Sequence, residues 1–131
     1  MPFRIEKNKV VFFGMEEIGF MEGCDIPWSV REVVLPNGLK AILKDAFYDN
    51  PFLEKINIPE TVQEIHSMAF WGLDSLEEIV LSPSIQIIEK YAFCNCTNLT
   101  VTVLCKKEDL PKGWHKECFA NVKEIRFREV K

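Results

Sequence analysis

The chain has 131 residues, about the size of one domain, and its 47% hydrophobic and 27% charged residues are the balance of an ordinary globular protein. A formal net charge of −4 and a pI of about 5.3 argue against nucleic-acid binding, which usually needs a basic surface. No apolar stretch approaches the roughly 18 residues of a membrane span. The segment 1–7 lacks the apolar core of a signal peptide, so we expect a cytoplasmic protein, or a surface-exposed one if the sequence is part of a longer chain.

The N-terminal segment, residues 1–29, has two interpretations. Residues 3–5 and 10–13, joined through a polar stretch at residues 7–9, predict a β-hairpin that caps the domain. Alternatively, Val10 and Phe12 are the inward residues of a degenerate first repeat. The register also stays open here, because residues 26–33 resemble residues 58–65.

From residue 30 onward, one apolar pattern recurs at a constant interval, and such internal periodicity is typical of solenoid proteins. The second half of the unit contains an Ala-Phe pair, found at residues 46–47, 69–70 and 92–93. An apolar triplet with fixed spacing opens the unit, at residues 30–35, 53–58 and 76–81. The sequence therefore predicts three full repeats, at residues 30–52, 53–75 and 76–98.

A degenerate fourth repeat and a C-terminal cap are predicted over residues 99–131. Cys118-Phe119 stands where the other units have Ala-Phe, and Val122-x-x-Ile125-x-Phe127 restarts the apolar triplet. Residues 1–131 would then form a single domain.

Each unit combines a strand with a turn. Ile56 and Ile58 alternate with polar residues, which is the pattern of a β-strand, and a proline-containing segment follows. Residues 67–73 space their apolar side chains at three to four positions and end near Gly72, which favours a short helical turn. A 23-residue unit lies in the leucine-rich-repeat range. We predict an α/β fold: a short leucine-rich-repeat solenoid with a parallel β-sheet on the concave face and short helical turns and loops on the convex side.

Residues 53–65, followed by Ala69-Phe70, resemble the BspA-type leucine-rich repeats, whose unit reads L-x-x-I-x-I-P-x-x-V-x-x-I and then A-F-x-x-C-x-x-L. Residues 92–99 match the second half, with Cys96 at the cysteine position. The resemblance covers residues 30–104 closely and residues 105–131 loosely. It implies a curved stack that mediates adhesion or protein contacts, as in bacterial and protist relatives, many of them surface-exposed. This array is shorter than many in the family.

The candidate partner-binding residues are the outward-pointing strand positions of the concave face, because side chains alternate along a strand. They are Glu32, Val34, Lys55, Asn57, Glu78, Val80, Val101, Val103, Glu124 and Arg126. A fourth strand shifted by one residue would instead bury both Val101 and Val103. Trp71 is a second candidate for a partner contact, on a convex loop.

Metal and thiol chemistry have weaker support. Cys94-x-Cys96, Cys105 and His115-x-x-Cys118 are ligand-rich, but their spacing matches no standard zinc knuckle. Five cysteines, an odd number, also argue against a disulfide framework. We therefore expect no metal, no cofactor and no catalytic residue.

The sequence favours a non-enzymatic module that binds a protein partner, with no role in nucleic-acid binding. One alternative is a structural or adhesive unit of a larger surface-protein assembly. A second alternative is a zinc- or thiol-dependent protein. An exposed terminal repeat also offers a route to a homo-oligomer, because an unpaired strand edge can bond to a second copy.

Overall fold

The computed structural model describes residues 3–129, which form a parallel-sheet solenoid of about five turns with little helix. Residues 1, 2, 130 and 131, which belong to the two predicted end segments, lie outside the described residues. In chain order the elements are β1 (Phe3–Glu6), β2 (Lys9–Phe12), β3 (Glu17–Ile18), α1 (Phe20–Cys24), β4 (Glu32–Val34), β5 (Ala41–Ile42), β6 (Lys55–Ile56), β7 (Glu64–Ile65), β8 (Glu78–Leu81), β9 (Ile87–Ile88), β10 (Thr100–Val103) and β11 (Glu124–Phe127).

Two sheets run along the solenoid. The concave sheet has two hydrogen-bonded sections, β1-β2-β4-β6 and β8-β10-β11, and the second sheet has the order β3-β5-β7-β9. All pairings are parallel except that of β1 with β2. Parallel pairing follows from the repeat, because every turn of the chain re-enters each sheet in the same direction.

The N-terminal segment contains both features that the sequence suggests. β1 and β2 form an antiparallel hairpin, with Phe3 opposite Phe12. β2 also pairs in parallel with β4, and Val10 lies opposite Val33. Val10 therefore occupies the first position of the stacked apolar column, and β1 covers the edge of the concave sheet at this end.

The convex side differs from the prediction in its local structure. Residues 43–49, 66–72 and 89–95 form tight turns rather than short helices, and α1 is the one α-helix among residues 3–129. Each of these turns holds two residues with positive φ, and both positions recur from one repeat to the next: Asp45 and Asp49, Met68 and Gly72, and Tyr91 and Asn95. A right-handed helix needs negative φ, so these residues prevent its formation.

Hydrogen bonds between neighbouring turns replace those of a helix. The Phe47 N–H donates to the Ala69 carbonyl at 2.7 Å, and the Phe70 N–H donates to the Ala92 carbonyl at 2.8 Å. The Phe70 ring packs between Phe47 and Phe93, with ring centroids 5.4 and 4.7 Å apart and nearly parallel planes. The repeated Ala-Phe pair therefore forms a continuous aromatic stack in the core.

Candidate functional site

The outward positions of the concave sheet form two columns. One column holds Glu32, Lys55, Glu78, Thr100 and Glu124, and the other holds Val34, Asn57, Val80, Thr102 and Arg126. β10 pairs with β8 so that Thr100 faces Glu78 and Thr102 faces Val80. The structure thus places eight of the ten predicted strand residues on the exposed face.

The predicted exposure of Val101 and Val103 is wrong. Both side chains are 0% exposed, whereas Val80 on the neighbouring strand is 39% exposed. Only one residue separates Leu99 from Val101, where two separate Leu76 from Ile79. The fourth strand is therefore shifted by one residue, as the alternative register proposed, because this shift buries two valines and leaves threonines outside.

The concave sheet is interrupted between β6 and β8. Within residues 3–129, no hydrogen-bonded ladder joins these two strands, although they lie side by side. An open cleft of about 900 Å³ lies over this interruption. Its lining includes six of the predicted residues: Glu32, Val34, Lys55, Asn57, Glu78 and Val80.

The cleft is acidic above an apolar floor. Its accessible apolar surface comes from Val34 and Val80, which point outward, whereas Ile56 and Ile79 in the same lining belong to the buried core. Five carboxylates and one ammonium group surround this floor: Glu32, Glu54, Glu60, Glu77, Glu78 and Lys55. Glu54, Glu60 and Glu77 are not among the residues predicted from the sequence. Glu54 and Glu77 occupy the same position in consecutive repeats, so the repeat spacing itself could have identified this pair.

Asn57 lines the cleft, but its side chain already forms hydrogen bonds within the protein. Its amide oxygen accepts a hydrogen bond from the Leu35 N–H at 2.7 Å, and its amide nitrogen donates to the Leu35 carbonyl at 3.1 Å. Both polar atoms of the side chain therefore bond to the preceding turn. We infer that Asn57 shapes the wall of the cleft more than it offers hydrogen bonds to a ligand.

Glu124 and Arg126 lie outside this cleft, at the C-terminal end of the concave sheet. Arg126 Nε donates to Glu124 Oε2 at 2.8 Å. This hydrogen bond is the main cause that lowers the pKa of Glu124 and raises the pKa of Arg126. Arg126 and Lys123 line a second, smaller cleft, which they share with Glu54, Glu77 and Glu78.

Trp71 lies on the convex turns, away from the cleft. Its ring stacks on Tyr48 of the preceding turn, with ring centroids 4.9 Å apart and an interplanar angle of 11°. Trp71 is half-buried and Tyr48 is exposed. One face of the tryptophan therefore packs on its neighbour, which fits a role in stacking the turns.

The thiols are poorly suited to chemistry. Burial raises the pKa of Cys96 to about 11 and that of Cys118 to about 12. A reactive cysteine needs the opposite shift. His115 Nδ1 already accepts a hydrogen bond from the Glu117 N–H at 3.0 Å. Within residues 3–129, no group of three or more His, Cys, Asp or Glu side chains is arranged to hold a metal ion.

The family follows from the repeated unit and its arrangement. The model of the BspA-type leucine-rich repeat region matches residues 24–130, in six copies. This chain belongs to the BspA-type leucine-rich-repeat family. The predicted resemblance is thereby confirmed, and so is the predicted leucine-rich-repeat solenoid with its parallel sheet. A search of curated proteins found no match.

Solved structures of bacterial leucine-rich-repeat proteins share this fold. A leucine-rich repeat protein from Bacteroides ovatus ATCC 8483 has 20% identity and a TM-score of 0.55, and the match covers 98% of this chain and 44% of that one. A leucine rich cell surface protein from Faecalibacterium prausnitzii A2-165 has 18% identity and a TM-score of 0.56, with 98% and 38% covered. The T. pallidum leucine-rich repeat protein has 18% identity and a TM-score of 0.55, with 95% and 78% covered.

This BspA-type chain spans less than half of the first two of these proteins. Among residues 3–129, no helix has the length and apolar character needed to cross a membrane.

Proposed function

We propose that this chain is a non-enzymatic binding module that takes a segment of a protein partner into the concave cleft over the β6–β8 interruption. The observation that supports it is the combination of an apolar floor with a predominantly acidic rim in an open cleft. Leucine-rich-repeat proteins generally act as binding modules, which fits this use.

The chemistry of the cleft defines the partner segment. Five carboxylates around Val34 and Val80 favour lysine and arginine side chains whose aliphatic stems, or adjacent apolar residues, cover the floor. An exposed Val80 extends the apolar surface toward β10. We therefore expect the partner to present a segment that is basic and apolar in alternation.

Selection from a displayed library of random peptides tests this directly. The wild-type chain is expected to enrich peptides rich in lysine, arginine and apolar residues. Their affinity should fall with added salt, because exposed charges are screened. Glu78→Lys combined with Val80→Lys should weaken the binding of the enriched peptides by about tenfold or more, because both changes place positive charge in the cleft. Glu17→Lys is the matched control, because Glu17 is exposed on the second sheet.

Two outcomes would contradict the cleft as the site. Enriched peptides that are acidic or uncharged would remove the electrostatic basis of the proposal. Peptides that bind the cleft variant as well as the wild type, yet lose affinity on Trp71→Ala, would move the site to the convex turns.

A structural or adhesive unit of a larger surface assembly is the second candidate function. Its support is the short span of this chain relative to two solved proteins, one of which is described as a cell surface protein. Under this alternative, the peptides selected by the cleft would show no common chemistry.

We also propose that the protein is located in the cytoplasm. All five cysteines are free, and four of them are buried, which suits the reducing cytoplasm. A thiol titration of freshly isolated native protein under denaturing conditions should find five free thiols. Fewer than five would indicate oxidation and favour a surface location.

A further inference from the structure

The outer edge of β11 is a second interaction surface, distinct from the concave cleft. β11 is the edge strand of the section β8-β10-β11, and among residues 3–129 no strand pairs with its other side. Ile125 and Phe127 lie in register with Val101 and Val103. They are 39% and 36% exposed, whereas both valines are 0% exposed. The apolar column of the core is therefore uncovered at this end.

The backbone of β11 offers a regular row of hydrogen-bonding groups on the same edge. The Arg128 N–H donates to the Val103 carbonyl at 2.8 Å, and the Glu124 N–H donates to the Leu99 carbonyl at 3.3 Å. In a parallel pair, the residues that bond to the neighbouring strand alternate with residues that face away from it. Ile125 and Phe127 therefore direct their N–H and C=O groups toward the open edge, whereas the Lys123 N–H donates to the Leu99 carbonyl at 3.0 Å.

The side chains of this segment are complementary to themselves when the strand is reversed. Residues 123–129 read Lys-Glu-Ile-Arg-Phe-Arg-Glu. An antiparallel second copy centred on Arg126 places Lys123 opposite Glu129, Glu124 opposite Arg128, and Ile125 opposite Phe127, each of them twice. Only the central Arg126 meets its own copy, and Glu124, its hydrogen-bonded partner within each chain, lies beside it.

We propose that a second copy of this chain pairs with β11 across a two-fold axis through Arg126, joining the two concave sheets into one. In this register the opposed residues at positions 125 and 127 both have outward backbone groups, so they form hydrogen-bonded pairs. Their side chains lie on the core side of both sheets, so the apolar column of each copy is covered by that of the other copy. Such isologous pairing is the commonest symmetry of soluble oligomers.

Competing registers are less favourable. Centring the pair on Phe127 places Arg126 opposite Arg128, a like-charge contact on both sides of the axis, and Ile125 opposite Glu129. Centring it on Ile125 places Lys123 opposite Phe127, so the apolar column meets a charged side chain. Glu129 also has an ion-pair partner within the chain, Lys106 at 3.7 Å. This exposed pair is weak and can rearrange at little cost.

Sedimentation velocity on the full chain, from about 1 µM to about 1 mM, tests the proposal. The wild type is expected to shift from monomer to dimer within this range. Glu124→Arg and Arg128→Glu should each raise the dimer dissociation constant about tenfold or more, because two attractive pairs become repulsive. The double variant carrying both changes should restore dimerisation, since positions 124 and 128 again carry opposite charges in this register.

Control variants keep the result interpretable. Glu17→Arg reverses a charge on the second sheet and should leave the dissociation constant unchanged. Ile125→Pro removes an outward N–H and should abolish the dimer while thermal unfolding still shows a folded chain. A wild type that stays monomeric at every concentration overturns the proposal. So does a dimer that the single charge reversals leave intact, or one that the double variant fails to restore.

The experiments distinguish a failure of the dimer proposal from a failure of the peptide-binding proposal. Loss of the dimer leaves the peptide selection by the cleft unaffected, because none of the substituted β11 residues lines that cleft.

Discussion

The side chain of Asn57 binds the backbone of Leu35, in the preceding repeat, through both the oxygen and the nitrogen of its amide. It thereby substitutes for a strand pair at the point where β4 ends, since the ladder between β4 and β6 extends only to Val33 and Ile56. The repeat pattern predicts that this polar side chain points outward. In the structure its hydrogen bonds join two turns of the solenoid.

Asn57→Ala is therefore expected to destabilise the fold. The substitution leaves the N–H and carbonyl of Leu35 without their partners, and we expect a loss of about 1–3 kcal/mol in the free energy of unfolding. Urea denaturation followed by circular dichroism measures it. Asn37→Ala is the matched control, because Asn37 lies in an exposed turn. Equal effects of the two substitutions would show that the bonds to Leu35 contribute nothing.

Phe70 is the central member of the aromatic stack and is fully buried. Phe70→Ala removes its contacts with both neighbours and leaves a cavity, so we expect a loss of about 3–5 kcal/mol. Phe52→Ala, at a partly exposed ring on the solenoid surface, should cost about 1 kcal/mol. Thermal unfolding of both variants gives the comparison. Similar midpoints for the two would contradict the stack as a main source of stability.

Gly23 in α1 lies against the first convex turn. A Cβ atom at this position would fall 1.5 Å from the Ala46 carbonyl oxygen. Gly23→Ala must move backbone atoms, and we expect it to destabilise the chain by about 3 kcal/mol. Gly19→Ala is the control, because its new Cβ would meet Leu43 at an ordinary 3.5 Å. A stable Gly23→Ala protein would mean that α1 can separate from the repeats without loss.

The buried thiols predict a fall in stability at alkaline pH. An unfolded thiol titrates near 9.0, but burial raises the pKa of Cys96 to about 11 and that of Cys118 to about 12. Above pH 9 the unfolded state loses protons that the native state keeps, so the free energy of unfolding falls as the pH rises through this window. Below pH 9 the contribution is fully present.

The free energy of unfolding should fall by about 2 kcal/mol less in Cys118→Ala than in the wild type between about pH 8 and pH 10.5. Cys24→Ala, at an exposed thiol, should leave the drop unchanged. All ionisable groups other than these two thiols are common to both variants, so the comparison isolates the buried thiol. Denaturant titrations at the two pH values provide the measurement. A drop that Cys118→Ala leaves intact would contradict ionisation of this thiol as a cause.

The fold could be predicted from the sequence because the apolar spacing within each repeat already determines its strand and its turn. The regular spacing of the Ala-Phe pairs and the period of two at Ile56 and Ile58 determine which side chains face the core. Stacking identical units then leaves one arrangement in which every apolar column is continuous. For the same reason, the outward positions of β4, β6 and β8 follow from the sequence.

The candidate site depended on tertiary contacts that no local pattern contains. The register of β10 was decided by burial of Val101 and Val103 against neighbouring strands, after one residue was lost from the spacing. The cleft lies where β6 and β8 form no ladder, and hydrogen bonding between strands depends on their positions in space. The sequence by itself determined the repeat, the core and the direction of the chain. Only the tertiary structure decided where the sheet opens and which end stays uncovered, because both depend on contacts between turns rather than within them.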